Sequence, residues 1–139
     1  MQVTWTLLFA WPIAVPGNTQ DKDPVVSEQK LTAGIIIRIA VFYPAGCHDL
    51  VKVKILHEDS QLFPLNKGTW LTGDDGEVGG WMWHELTPGR NKLKVLASSP
   101  GTAYSHNVIA RVNELPPATK IFEPLIKVAM KVGQRLGLL

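Results

Sequence analysis

Four histidines (His48, His57, His84 and His106), one thiol (Cys47) and a knot of carboxylates (Asp74, Asp75 and Glu77) are the obvious reactive side chains in this chain. No two histidines stand at H-x-x-x-H spacing, and a single cysteine excludes a thiolate zinc site. The sequence therefore names no metal ligand, although histidines can still meet across strands. Asp74, Asp75 and Glu77 offer the hard oxygens that calcium takes. Their spacing is not that of an EF-hand loop, and Gly73-Asp74-Asp75-Gly76 is equally the chemistry of a hairpin turn, which is the preferred reading. Cys47, with only His48 beside it, reads as a small buried or half-buried thiol. A hydrolase would need Asp74, Glu77, His84 and His106 to converge. There is no G-x-S-x-G elbow and no phosphate-cradling glycine loop. The expectation is a protein that is not an enzyme, with no catalytic residue, no metal and no cofactor.

Aromatic side chains offer a different chemistry. Trp70, Trp81 and Trp83 form a possible ligand platform, since exposed indoles stack on sugars or bases. Trp81 and Trp83 lie two apart and share a strand face. The preferred reading places one or both between sheets, where large aromatics bury most surface. Gly79 and Gly80 next to them suggest a bulge or a close approach, compatible with either role.

The elements that carry these residues read as strands. IIIRIAVFY from Ile35 would place Ile35, Ile37, Ile39, Val41 and Tyr43 on one face and Ile36, Arg38, Ala40 and Phe42 on the other. Both faces are mostly apolar, as in a central strand. LVKVKILH points Val51, Val53 and Ile55 inward and Lys52 and Lys54 outward, and NKLKVLAS does the same with Leu93, Val95 and Ala97 against Lys92 and Lys94. AYSHNVIARV places Tyr104, Val108, Ala110 and Val112 on a common side. QLFPL is an edge or irregular piece because of Pro64. The chain opens MQVTWTLLFAWPIAVPG, with no basic residue ahead of its apolar run and too few apolar residues to span a bilayer. Val3, Trp5, Leu7 and Phe9 alternate instead, which predicts a first strand from Val3 to Phe9, with Trp11-Pro12 interrupting the run. Glycines and prolines, 12 and 10 in number, fall between these runs as turn punctuation. The pattern predicts an all-β, antiparallel β-sandwich, jelly-roll-like, of about eight strands over residues 1–115.

Pro116-Pro117 ends the strand pattern. Beyond it, residues 116–139 form an amphipathic α-helix with an apolar stripe of Phe122, Leu125, Ile126, Ala129, Val132 and Leu136. Lys120, Lys127, Lys131 and Gln134 fall on the other side. Glu123 and Pro124 suit a helix start, and Lys131 and Arg135 its C-terminal half. Gly133 and Gly137 weaken it by about 1 kcal/mol each relative to alanine. The helix either covers a sheet of its own domain or docks on another subunit. Lying on a membrane surface is the weaker alternative, because the basic residues are few.

A net charge of +2 with scattered basic residues argues against nucleic-acid binding. The stretches KLTAGIIIRIAVFYPAGCHDLVKVKIL, QLFPLNKGTWL and TPGRNKLKVLASSPGTAYSHNVIARV carry a strand ending in Pro-x-Gly, a Gln-x-x-Pro segment and a T-x-Y-x-H strand. Over Lys30 to Val112 the chain resembles small β-sandwich virion structural proteins of tailed phages and related viruses. The resemblance implies a structural role in a capsid, decoration layer or tail, a virion location, and self-association or contact with other particle subunits. It carries no catalytic residues. The alternative is a carbohydrate-binding β-sandwich module that holds a glycan on Trp70, Trp81 or Trp83.

Overall fold

A computed structural model describes residues 7–137, except the side chains of 118–123 and 126. Nine strands precede one helix: β1 (Leu7–Val15), β2 (Val25–Lys30), β3 (Gly34–Tyr43), β4 (Lys52–His57), β5 (Ser60–Phe63), β6 (Leu71–Thr72), β7 (Gly76–Leu86), β8 (Lys92–Ser98), β9 (His106–Leu115) and α1 (Ala118–Arg135). One sheet runs β1-β9-β3-β7 and the other β2-β8-β4-β5, with the two-residue β6 added to β4. All pairings are antiparallel. Apart from the β4-β5-β6 stretch, each connection passes from one sheet to the other, which is jelly-roll wiring. The fold is the antiparallel sandwich that strand periodicity predicts.

The core lies between the sheets. Val53 and Ile55 of β4, Leu93, Val95 and Ala97 of β8, and Val108, Ala110 and Val112 of β9 are all fully buried, as the period of two requires. Tyr104 departs from that pattern, because β9 begins only at His106 and Tyr104 sits 77% exposed in the turn before it.

β3 breaks the expected alternation. Its register against both β7 and β9 shifts between Ile36 and Arg38. Ile37 is the extra residue against β9, so the faces exchange across it. The core receives Ile36, Ile39, Val41 and Tyr43, and Ile35 is buried outside that cluster. Tyr43 ends the row fully buried, with its hydroxyl donating to the carbonyl oxygen of Leu71 at 2.7 Å. Gly73 lies flat against its ring, and a Cβ there would overlap Cδ2 of Tyr43.

β1 also differs from expectation. It continues through Trp11-Pro12 to Val15, with Pro12 opposite Ile109. β1 is an edge strand, where a missing backbone donor is tolerated, so Pro12 does not end it. Trp11, Ile13 and Val15 point into the core. Val3 and Trp5 lie outside the described residues.

The Gln-x-x-Pro segment has a physical basis. The Gln61 amide donates to the carbonyl oxygens of Pro64, Asn66 and Thr69 at 2.8, 3.1 and 3.1 Å, and its Oε1 accepts from the Gly68 N–H at 3.1 Å. One side chain thus ties together the loop after β5.

Helix α1 begins at Ala118, directly after Pro117, and not near Glu123. Pro124 therefore sits inside the helix, where it removes a backbone hydrogen bond and crowds the preceding turn. The first turn holds no acidic residue and no side chain caps it.

Candidate functional site

Apart from Trp70, the stripe and platform residues singled out by the sequence lie on two elements, α1 and β7. On the helix, Leu125 is 65% exposed, Val132 49% and Leu136 67%, and Ala129 is exposed with them. Val128 and Met130 are exposed too. The Phe122 and Ile126 side chains lie outside the described residues. Among the described residues no strand packs extensively on α1. An interior proline costs a helix about 3 kcal/mol and Gly133 about 1 kcal/mol relative to alanine. A helix of 18 residues with these breaks, no side-chain cap and no acidic first turn is marginal in water.

Strand β7 alternates cleanly. Val78 and Met82 turn toward the core, while Glu77, Gly79, Trp81, Trp83 and Glu85 turn outward. Trp81 is 78% exposed and Trp83 61%, so neither fills the core as the preferred reading had it. The reason is position: β7 is the edge strand of its sheet, and its outer face meets no further layer of the sandwich. Trp70 is half-buried elsewhere, with Lys54 Nζ 4.2 Å from its ring centroid. The three indoles therefore do not form one platform; Trp81 and Trp83 share a face and Trp70 stands on the loop before β6.

Charge on the Trp81 face is paired. Glu77 takes Arg38 on one carboxylate oxygen and Arg111 on the other, the latter at 2.6 Å. These hydrogen bonds, that from Arg38 foremost, hold the Glu77 carboxyl below its usual range. The Arg38 guanidinium also lies 5.8 Å from the Trp81 ring centroid, and that of Arg111 lies 5.4 Å from Phe42. The two arginines thus link the carboxylate to the aromatic surface.

The remaining reactive side chains are engaged separately. Asp74 accepts the backbone N–H groups of His48 and Gly46 at 3.0 and 3.1 Å, which joins its turn to the one after β3, and these bonds, that from His48 foremost, lower its pKa. His84 meets His57. His106 opens β9, and its Nδ1 is enclosed with no hydrogen-bond partner among the described residues. Cys47 is fully buried, and desolvation pushes its thiol up, away from the reactive thiolate. Among the described residues no three His, Cys, Asp or Glu gather as a metal site, and no helix is long and apolar enough to cross a membrane.

Two features escaped sequence reasoning. Glu114 faces inward on β9, fully buried, where its Oε1 accepts from the Thr32 hydroxyl at 3.1 Å and Oε2 has no partner. Its parity with Val108, Ala110 and Val112 was the available signal. The contact between His57 and His84 had none, because it joins strands of different sheets.

No known family model matches this chain, and no curated protein matches it. Among solved structures, a chain of the cyanophage Pam1 capsid asymmetric unit overlays with a TM-score of 0.57 at 12% identity, covering 81% of this chain and 85% of that one. The tobacco streak virus coat protein overlays at 0.41 with 6% identity, over 85% and 91% of the two chains. The CBM36-1 domain of a multidomain xylanase from the hindgut metagenome of Trinervitermes trinervoides gives 0.38 and 10%, over 78% and 95%. The last two overlays are too loose to carry an argument. The first shows a shared fold: the chain resembles a phage capsid protein in the architecture of its sandwich.

Proposed function

We propose that this chain is a non-catalytic structural protein of a viral particle, a capsid, decoration or tail-associated component, and that it contacts neighbouring subunits through α1 and the sandwich. The observation that carries this reading is the helix: Leu125, Val132 and Leu136 are exposed on an element too broken to stand alone. An amphipathic helix of this kind gains its stability by laying its stripe in a partner's groove. On this reading residues 116–139 act as a unit distinct from the sandwich of residues 1–115. The fold shared with a phage capsid chain supports the same reading.

Light scattering on the full chain, a chain lacking residues 116–139 and the double variant Leu125→Asp/Val132→Asp tests it. The full chain assembles, alone or on particles purified from the same host, and both variants do not. The aspartates stand at exposed positions, so thermal stability of the variant stays within about 0.5 kcal/mol. A strict monomer, unchanged by either alteration and absent from particles, sinks the proposal.

The exposure of Trp81 and Trp83 on one face supports a second reading, a carbohydrate-binding module. Quenching or a blue shift of tryptophan emission on adding glycans, lost in Trp81→Ala/Trp83→Ala, would favour it.

A further inference from the structure

At the end of the sandwich where the turn after β3 meets the turn before β9, a cleft of about 500 Å³ opens. That volume lies within the ~300–1,000 Å³ usual for small-molecule sites. Gly46, His48, Leu50, Thr102, Tyr104 and His106 line it, and no Lys, Arg, Asp or Glu contributes to the wall.

Both walls are held in place. On one side, Asp74 takes the N–H groups of Gly46 and His48. On the other, Thr102 donates its hydroxyl to the Ser99 carbonyl at 2.8 Å and accepts from the Asn18 N–H at 3.0 Å. The Gly101 N–H donates to Asn18 Oδ1 at 3.0 Å. The cleft is therefore preformed, and a ligand loses little in ordering it.

The lining specifies a ligand chemistry. Tyr104 is 77% exposed and Leu50 44%, which gives the cleft aromatic and aliphatic surface open to solvent. His106 Nδ1 is enclosed with no hydrogen-bond partner among the described residues, which leaves Nε2 as the ring nitrogen available to a ligand. Nε2 faces Gly46, where a Cβ would stand 3.8 Å away and where φ of +100° demands glycine. The space in front of that ring nitrogen is thus kept free of a side chain. An aromatic surface beside a few fixed hydrogen-bonding groups, with no permanent charge, suits a ring that is apolar on its faces and hydroxylated at its rim. We infer that this cleft binds an uncharged sugar, a neutral hexopyranose at the end of a glycan. The site shares no residue with α1 or with the Trp81 and Trp83 surface, so the assembly reading stands or falls separately.

Saturation-transfer NMR on the full chain tests the inference and works whether or not the chain assembles. The probes are methyl glycosides of glucose, galactose, mannose and N-acetylglucosamine at millimolar concentration, with glucuronic and sialic acid as charged comparators. At least one neutral glycoside receives saturation, with a Kd on the order of millimolar as expected for so small a ligand. Tyr104→Ala and His48→Ala, both at exposed positions, weaken that binding by roughly 3–10-fold while the melting temperature holds. Trp81→Ala/Trp83→Ala leaves it unchanged. No transfer from any neutral glycoside, transfer from the charged sugars alone, or binding that survives Tyr104→Ala and disappears in the tryptophan variant overturns the assignment.

Discussion

His84 of β7 places its Nε2 2.8 Å from Nδ1 of His57 on β4, joining the two sheets through a pair of imidazoles whose rings meet edge to face at 85°. His57 Nε2 lies 2.7 Å from the carbonyl oxygen of Arg90, which can only accept. His57 Nε2 therefore donates to that carbonyl, and one of the two facing nitrogens, His57 Nδ1 or His84 Nε2, supplies the proton that joins the rings.

Acid should weaken the sandwich through this pair. Burial, and then the neighbouring His57, lower the pKa of His84 from 6.5. As pH falls through about 6.5, the unfolded chain takes the proton before the folded one does, so stability declines until the folded value is passed. Above 6.5 the contribution is complete. Melting temperature measured from pH 8 to pH 5 should fall more steeply for the native chain than for His84→Gln, which has no proton to take up. Parallel curves would remove the pair as the cause.

Glu114 should act in the opposite sense. Desolvation raises its pKa above 4.5, with the Thr32 hydrogen bond opposing. The folded chain then holds the proton in a window above 4.5 where the unfolded chain has lost it, so stability falls as pH rises through that window. Glu114→Gln keeps the shape without the ionisation. Its melting temperature at pH 7 should exceed that of the native chain by a few degrees, about 3 °C for each kcal/mol, and the gain should vanish below pH ~4.5. A lower melting temperature at pH 7 would show that the carboxylate is stabilising where it stands.

The packing of Gly73 on Tyr43 sets a third expectation. A methyl group at Gly73 overlaps a ring that is itself fully buried and anchored to Leu71. Gly73→Ala should cost roughly 1–3 kcal/mol, the range for overpacking a filled core. Denaturant unfolding checks it, with Gly68→Ala for contrast: no atom lies within 4 Å of that Cβ, and its cost is limited to the strain of φ at +83°. Equal losses at both sites would mean that the ring is not a steric limit.

Much of the architecture was legible because it is local. Val53 and Ile55, Leu93 and Val95, and Val108 and Ala110 alternate with polar residues at a period of two, and a strand with one buried face requires that pattern wherever it ends up in the sheet. The C-terminal helix was legible for the same reason at a helical period, although its start was not. Glu123-Pro124 looks like a helix entrance, yet the helix begins at Ala118 and runs through the proline.

What the chain alone determined is the kind of each element and the residues it offers; tertiary structure decided which of those residues meet and which face solvent. One extra residue at Ile37 exchanges the faces of β3, and no count of apolar positions along IIIRIAVFY announces it. Trp81 and Trp83 look like core residues by type, and only the register of β7, which turns them to the outer face of its sheet, leaves them in water. His57 and His84, or Gly46 and His106, become neighbours because sheets pair strands far apart in sequence. Register and layer order are set by the summed burial of the whole sandwich, a quantity that no single segment contains.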